Sequence, residues 1–260
     1  MAIAGIDWIA LFSAALGGGL TVKLIEIGHD EFQRWRTRRD VDGKTVDRSL
    51  EPLLRATDEL FGKLRSLVEQ DFVPLRDVVK DGLDDESFAS VVYLFVQFWS
   101  EVEIVRQRGL STEVARSKRG RSTQAFLRCL ESRKLRLIDR ISQRAIGESA
   151  LVDGRTMNFV EYVRHYDGDA HSRRWVSGLI DLLSTTQATD TRQAILQYAV
   201  VLHSMIDTLD PEHLVTRDRP ATPNKLTAKS WKDLNYRVFK IYLPDVKHSQ
   251  KYIGPPKRRP

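Results

Sequence analysis

A chain of 260 residues, 42% hydrophobic and 29% charged, can bury a sizeable core, which argues against global disorder. Its single cysteine, Cys129, excludes an internal disulfide framework and fits a reducing compartment. The net charge of +6 is moderate but unevenly placed: residues 116–144 hold ten Lys and Arg against only Glu131 and Asp139, so this segment carries +8 and the rest of the chain −2.

Residues 2–22 carry one charge, Asp7, near the outer end. As a helix the run would reach about 30 Å, the thickness of a bilayer core. Lys23 follows, and then Arg34, Arg36, Arg38 and Arg39, which places the C-terminal flank on the cytoplasmic side if the run spans a membrane. No Lys or Arg precedes the run, unlike the start of a secretory signal. Gly17, Gly18 and Gly19 interrupt it. They lack the Gly-Lys-Ser/Thr ending of a phosphate loop, so the expected role is close contact between neighbouring membrane helices.

Leu50, Leu53, Leu54, Leu60, Phe61, Leu64, Leu67 and Val68 recur at helical spacing and predict an amphipathic helix opened by Pro52. Pro74 and Gly82 punctuate the connection after it. Residues 91–105 are apolar nearly all round, and their uncharged stretch is short for a bilayer, so a central buried helix is expected. Residues 122–149 read as one further helix, with Leu127, Leu130, Leu137, Ile138 and Ile141 inward.

A pair of shorter helices is expected on either side of "DGDAHS", and a strongly apolar helix over 191–209. That helix stops where Asp210 can cap a turn opened by Pro211. "KSWKDLNYRVFKIYL" reads as a last helix or as a strand-like segment, and the end of the chain as a polar tail. No alternating hairpin series is visible. The expected fold class is mainly α: an N-terminal membrane-anchor helix with its basic flank (1–40), a cytosolic multi-helix bundle (41–247) and a basic tail (248–260).

Three groups of residues carry candidate chemistry. His203 and Asp207 lie four apart on one helix face and could reach one metal ion, with Asp210, Glu212 and His213 nearby in sequence. The competing interpretation is a capped helix end and a solvated turn. Arg164 and His171, in "RHYDGDAH", are spaced Arg-x6-His. This spacing resembles the catalytic motif of the HEPN family, helical ribonucleases; the resemblance implies RNA cleavage by paired Arg and His at a dimer interface. A surface turn is the plainer alternative.

The third group is the basic segment: Arg116, Lys118, Arg119, Arg121, Arg133, Arg136, Arg140 and Arg144, the last four expected along one helical stripe. Such a stripe suits anionic lipid headgroups, acidic surfaces of the same protein, or nucleic-acid phosphates, in which case aromatic interleaving for base stacking is missing. No zinc pattern, dinucleotide fingerprint or serine-nucleophile motif is present, and no cofactor is expected. The sequence therefore points to binding or assembly more than catalysis. The expectation is a single-pass protein of the inner membrane with its C-terminal domain cytoplasmic, possible homo-oligomers, and a layout resembling bacterial accessory and phage-defence effectors. A soluble scaffold with a buried first helix is the other alternative.

Overall fold

The first described helix, α1 (residues 50–69), buries every apolar position that its spacing marks, from Leu50 to Val68. It ends where the Phe72 amide donates to the Leu67 carbonyl at 2.8 Å and Asp71 and Phe72 enter the left-handed region. The structure is a computed structural model that describes residues 50–75, 83–107 and 117–255. The chain divides into two units, Met1–Val46 and Asp47–Pro260, and all described residues belong to the second. The anchor run, Gly17, Gly18, Gly19 and the arginines after them lie outside the described residues.

Helix α2 (Glu86–Gln107) starts at Asp85, whose carboxylate accepts from the Phe88 amide at 2.6 Å. It buries Val91, Val92, Phe95, Val96, Phe98, Trp99, Val102, Ile104 and Val105, as expected of a central helix. Among the described residues it alone is long and apolar enough to cross a membrane, yet 72% of its apolar window is buried within the protein. Burial on that scale is what an all-round apolar core helix shows.

Residues 122–149 do not form the single helix expected. They divide into α3 (Lys118–Leu130) and α4 (Arg140–Ser149). The Glu131 amide bonds back to Leu127 and the Ser132 amide to Cys129, tightening the last turn of α3. Asp139 then caps a new helix by accepting from Ile141 N (2.8 Å) and Ser142 N (3.3 Å). Ile141, expected inward, is 66% exposed. Helix α4 packs on α2 through Gly147, and Ser100 Oγ donates to the Gly147 carbonyl at 2.9 Å.

A two-stranded hairpin follows, β1 (Leu151–Val152) with β2 (Arg155–Thr156), which the sequence reading missed. Asp153 and Gly154 both take positive φ, the backbone that a two-residue hairpin turn demands. Helices α5 (Phe159–Gly168) and α6 (Ala170–Ser184) come next, with α5 held by a capping box of Asn158 and Glu161.

The long α7 (Thr189–Leu209) packs against α3, and Trp99 Nε1 on α2 donates to its Tyr198 hydroxyl at 3.1 Å. Helix α8 (Ala228–Asp233) continues into a π-helical stretch, Leu234–Tyr242, so "YRVFKIYL" is helical rather than a strand. The stretch expected as a polar tail contributes α9 (Gln250–Ile253), which packs on α7 with Tyr252 and Ile253 buried. The fold is thus mainly helical.

Candidate functional site

A group of polar side chains gathers at the C-terminal end of α7. The turn after it is built by Asp210, as its position before Pro211 suggested. Its buried carboxylate accepts from the amides of Leu214 (3.0 Å), Val215 (3.1 Å) and Thr216 (2.9 Å) and from Thr216 Oγ1 (2.7 Å). Burial opposes its charge, but the Thr216 hydroxyl and the three amides outweigh that and hold its carboxyl below the usual range. The far end of the turn is fixed by Arg219, whose Nε and Nη2 donate to the two oxygens of Asp58 on α1 at 2.7 and 3.1 Å.

This framework sets His203, Asp207 and His213 together. His203 and Asp207 share a face of α7 as expected, with Nε2 of the imidazole 3.6 Å from Asp207 Oδ1. His213 Nε2 approaches the same oxygen at 3.8 Å and Asp218 Oδ1 at 3.7 Å. From α9, Lys251 Nζ donates to Asp207 Oδ2 at 2.7 Å and the Tyr252 hydroxyl at 3.1 Å. The His203 ring is stacked on Phe61, centroids 4.6 Å apart, and meets the Tyr252 ring edge-on at 5.1 Å. Burial pushes the His203 imidazole below its ordinary range, and it pushes the Tyr252 phenol up, with Asp207 adding to the latter.

The cation that meets Asp207 is therefore a lysine from a distant part of the chain. Among the described residues, no group of three or more His, Cys, Asp or Glu side chains is arranged to hold a metal ion.

Arg164 and His171 sit on consecutive helices. The expected "DGDAHS" loop shrinks to Asp169 alone, which ends α5 and caps α6 by accepting from the amides of His171 (3.0 Å) and Ser172 (3.1 Å). The His171 amide, with Ser172 and the two imidazoles adding to it, keeps the Asp169 carboxyl below its usual range against slight burial. His165 Nε2 and His171 Nδ1 flank this carboxylate, each at 3.6 Å. Arg164 is exposed and the His171 side chain is 88% exposed, so both are open to a large ligand.

The basic segment is divided by the break between α3 and α4, so Arg133, Arg136, Arg140 and Arg144 do not line one helix. Arg136 pairs with Asp139 (3.9 Å) and Arg144 with Glu131 (3.6 Å), and Arg106 on α2 joins Glu131 to Glu103. Lys118, Arg128, Arg133, Lys134 and Arg140 are exposed and form no ion pair among the described residues. Lys118, Arg119 and Arg121 stand in the first turn of α3, where the helix dipole is itself positive. Ile141 protrudes beside Arg140, and Leu137 and Ile138 are half-buried before it. Arg116 lies outside the described residues.

Sequence spacing brought His203 to Asp207 but could not supply Lys251 and Tyr252, which arrive from more than forty residues away. Comparison of the chain with protein-family models, with curated proteins and with solved structures finds no match.

Proposed function

We propose that the protein is a membrane-anchored helical module acting by binding or assembly, held at the cytoplasmic face of the inner membrane by residues 2–22. In this proposal the surface formed by α3, the 131–139 connection and the start of α4 lies against anionic headgroups. The observation that carries it is the set of five exposed Lys and Arg side chains that form no ion pair among the described residues, with Ile141 exposed next to Arg140 in the chain. Cations beside an exposed apolar side chain suit the boundary between headgroups and acyl chains. Each such cation contributes about 1 kcal/mol near an anionic leaflet and is screened by salt. The patch would therefore orient the body reversibly, while the apolar run would hold it. Gly17, Gly18 and Gly19 would allow anchors to pack together as a homo-oligomer.

Fractionation of the tagged full chain tests the anchor: it should stay with membranes through carbonate and high salt. Release by either treatment removes the proposal. Deleting residues 1–28 should give a soluble protein, whereas a scaffold whose first helix is buried should aggregate.

A second reading is supported by the Asp169 junction. One carboxylate flanked by two imidazoles, with Arg164 exposed on the preceding helix α5, offers acid, base and phosphate-binding groups for RNA cleavage. On that reading His171→Ala should lower ribonuclease activity by roughly a hundredfold or more. Cleavage unchanged by the substitution would dismiss Arg164 and His171 as catalytic.

A further inference from the structure

Four side chains approach the Asp207 carboxylate, Lys251 and Tyr252 at Oδ2 and His203 and His213 at Oδ1. The His203 ring is buried, and its Nε2 has no hydrogen-bond partner. That Nε2 lies 3.6 Å from Asp207 Oδ1, which is also buried and without a hydrogen-bond partner. Thr216 spends its hydroxyl hydrogen on Asp210, so its oxygen accepts from Nδ1 of His213 at 3.1 Å. His213 Nε2 approaches the same Asp207 Oδ1 at 3.8 Å. Asp207 Oδ1 thus accepts no hydrogen bond, and a proton on His203 Nε2 would supply one.

One short element contributes to keeping that proton away from His203. Helix α9 covers the ring with Tyr252 and places the Lys251 ammonium on the same carboxylate. It is held by the buried Tyr252 and Ile253, by Gln250 donating to Asn235, and by Trp231 Nε1 donating to the Gly254 carbonyl at 2.9 Å. Lifting α9 would give the ring water and free the carboxylate in a single movement. Of the remaining charged groups nearby, Asp210 is engaged by its four donors and the Arg219 guanidinium by Asp58, while the exposed Asp218 lies 3.7 Å from His213 Nε2.

We propose that Asp207 exchanges partners with pH, holding Lys251 and a docked α9 at neutral pH and a protonated His203 with α9 released in acid. The sign follows from linkage. Burial, reinforced by Lys251 and His213, holds the His203 imidazole below its ordinary range against the opposing pull of Asp207 and the Arg219 carbonyl. A histidine depressed in the docked state favours docking above the ordinary imidazole value. That preference fades as pH falls through the docked-state value.

Hydrogen exchange of the full-length chain in mild detergent, corrected for the intrinsic rate, tests this over residues 248–255. Protection should fall roughly tenfold between about pH 7.5 and 5.5 in the wild type, and should hold steady in His203→Phe, which keeps the ring stack but cannot titrate. Unchanged protection in the wild type, or a wild-type pH response in His203→Phe, overturns the proposal. If the variant does not fold, the ring proton shifts of His203 in the wild type replace it: their midpoint must coincide with α9 release, and a mismatch counts against the exchange. Zinc that raises α9 protection at neutral pH, reversibly by chelator, would show a cation site instead.

Discussion

Gly147→Ala should destabilise the Asp47–Pro260 unit by about 3 kcal/mol. A Cβ at this position would lie 2.6 Å from the Trp99 carbonyl oxygen and 2.8 Å from its carbon, backbone atoms in the middle of α2 that no rotamer change can move. Relief requires α2 and α4 to separate, which also breaks the buried bond from Ser100 Oγ to the Gly147 carbonyl. Helix propensity alone would favour the alanine by about 1 kcal/mol, so overpacking and the lost bond must exceed that gain. Gly178→Ala provides the opposite sign. It lies within α6 with nothing within 4 Å of an added Cβ, and it should stabilise by about 0.8 kcal/mol. Urea unfolding midpoints of the two variants decide the matter, and shifts in the same direction would refute the packing argument.

Asp210→Ala should cost about 3–4 kcal/mol, since it strips one buried carboxylate from three amides and a hydroxyl. The same change releases Thr216 and with it His213, so the arrangement at Asp207 should be lost as well. The pH dependence has a definite sign. Asp210 is depressed in the folded state, so its contribution is in place above the unfolded carboxyl value of about 4 and is lost as pH falls through the folded value. The stability gap between wild type and variant should therefore narrow in acid. A gap that stays constant down the acid limb would show that the charged carboxylate is not the source.

The elements legible in the sequence are those whose burial has a period. Leu50 to Val68 marked one face of α1, and the unbroken apolar run of 91–105 marked α2 as interior. The break between α3 and α4 was hidden because Leu137, Ile138 and Ile141 continue the helical spacing across it. The useful sign was Asp139, a capping residue inside an apparently continuous pattern. The hairpin has strands of two residues, too short for alternation to register, although Asp153-Gly154 is a strong turn pair. Nothing in composition separates a π-helical Leu234–Tyr242 from an α-helical one. At the candidate site, His203 and Asp207 were visible together because four-residue spacing is local. Lys251 was not, because its meeting with Asp207 depends on the path of the chain through α8 and the π-helical stretch.

Cys129 faces inward from α3, with none of its surface exposed, and burial pushes its thiol up to about 12. At neutral pH it is a thiol rather than a thiolate, out of reach of alkylating reagents while the fold is closed. The native chain is thus a ready host for single-site chemistry. A cysteine introduced at the 79%-exposed Leu214 could carry a fluorophore or spin label while the natural sulfur stays silent. Labelling at Cys129 itself would then become a clock for opening of the core.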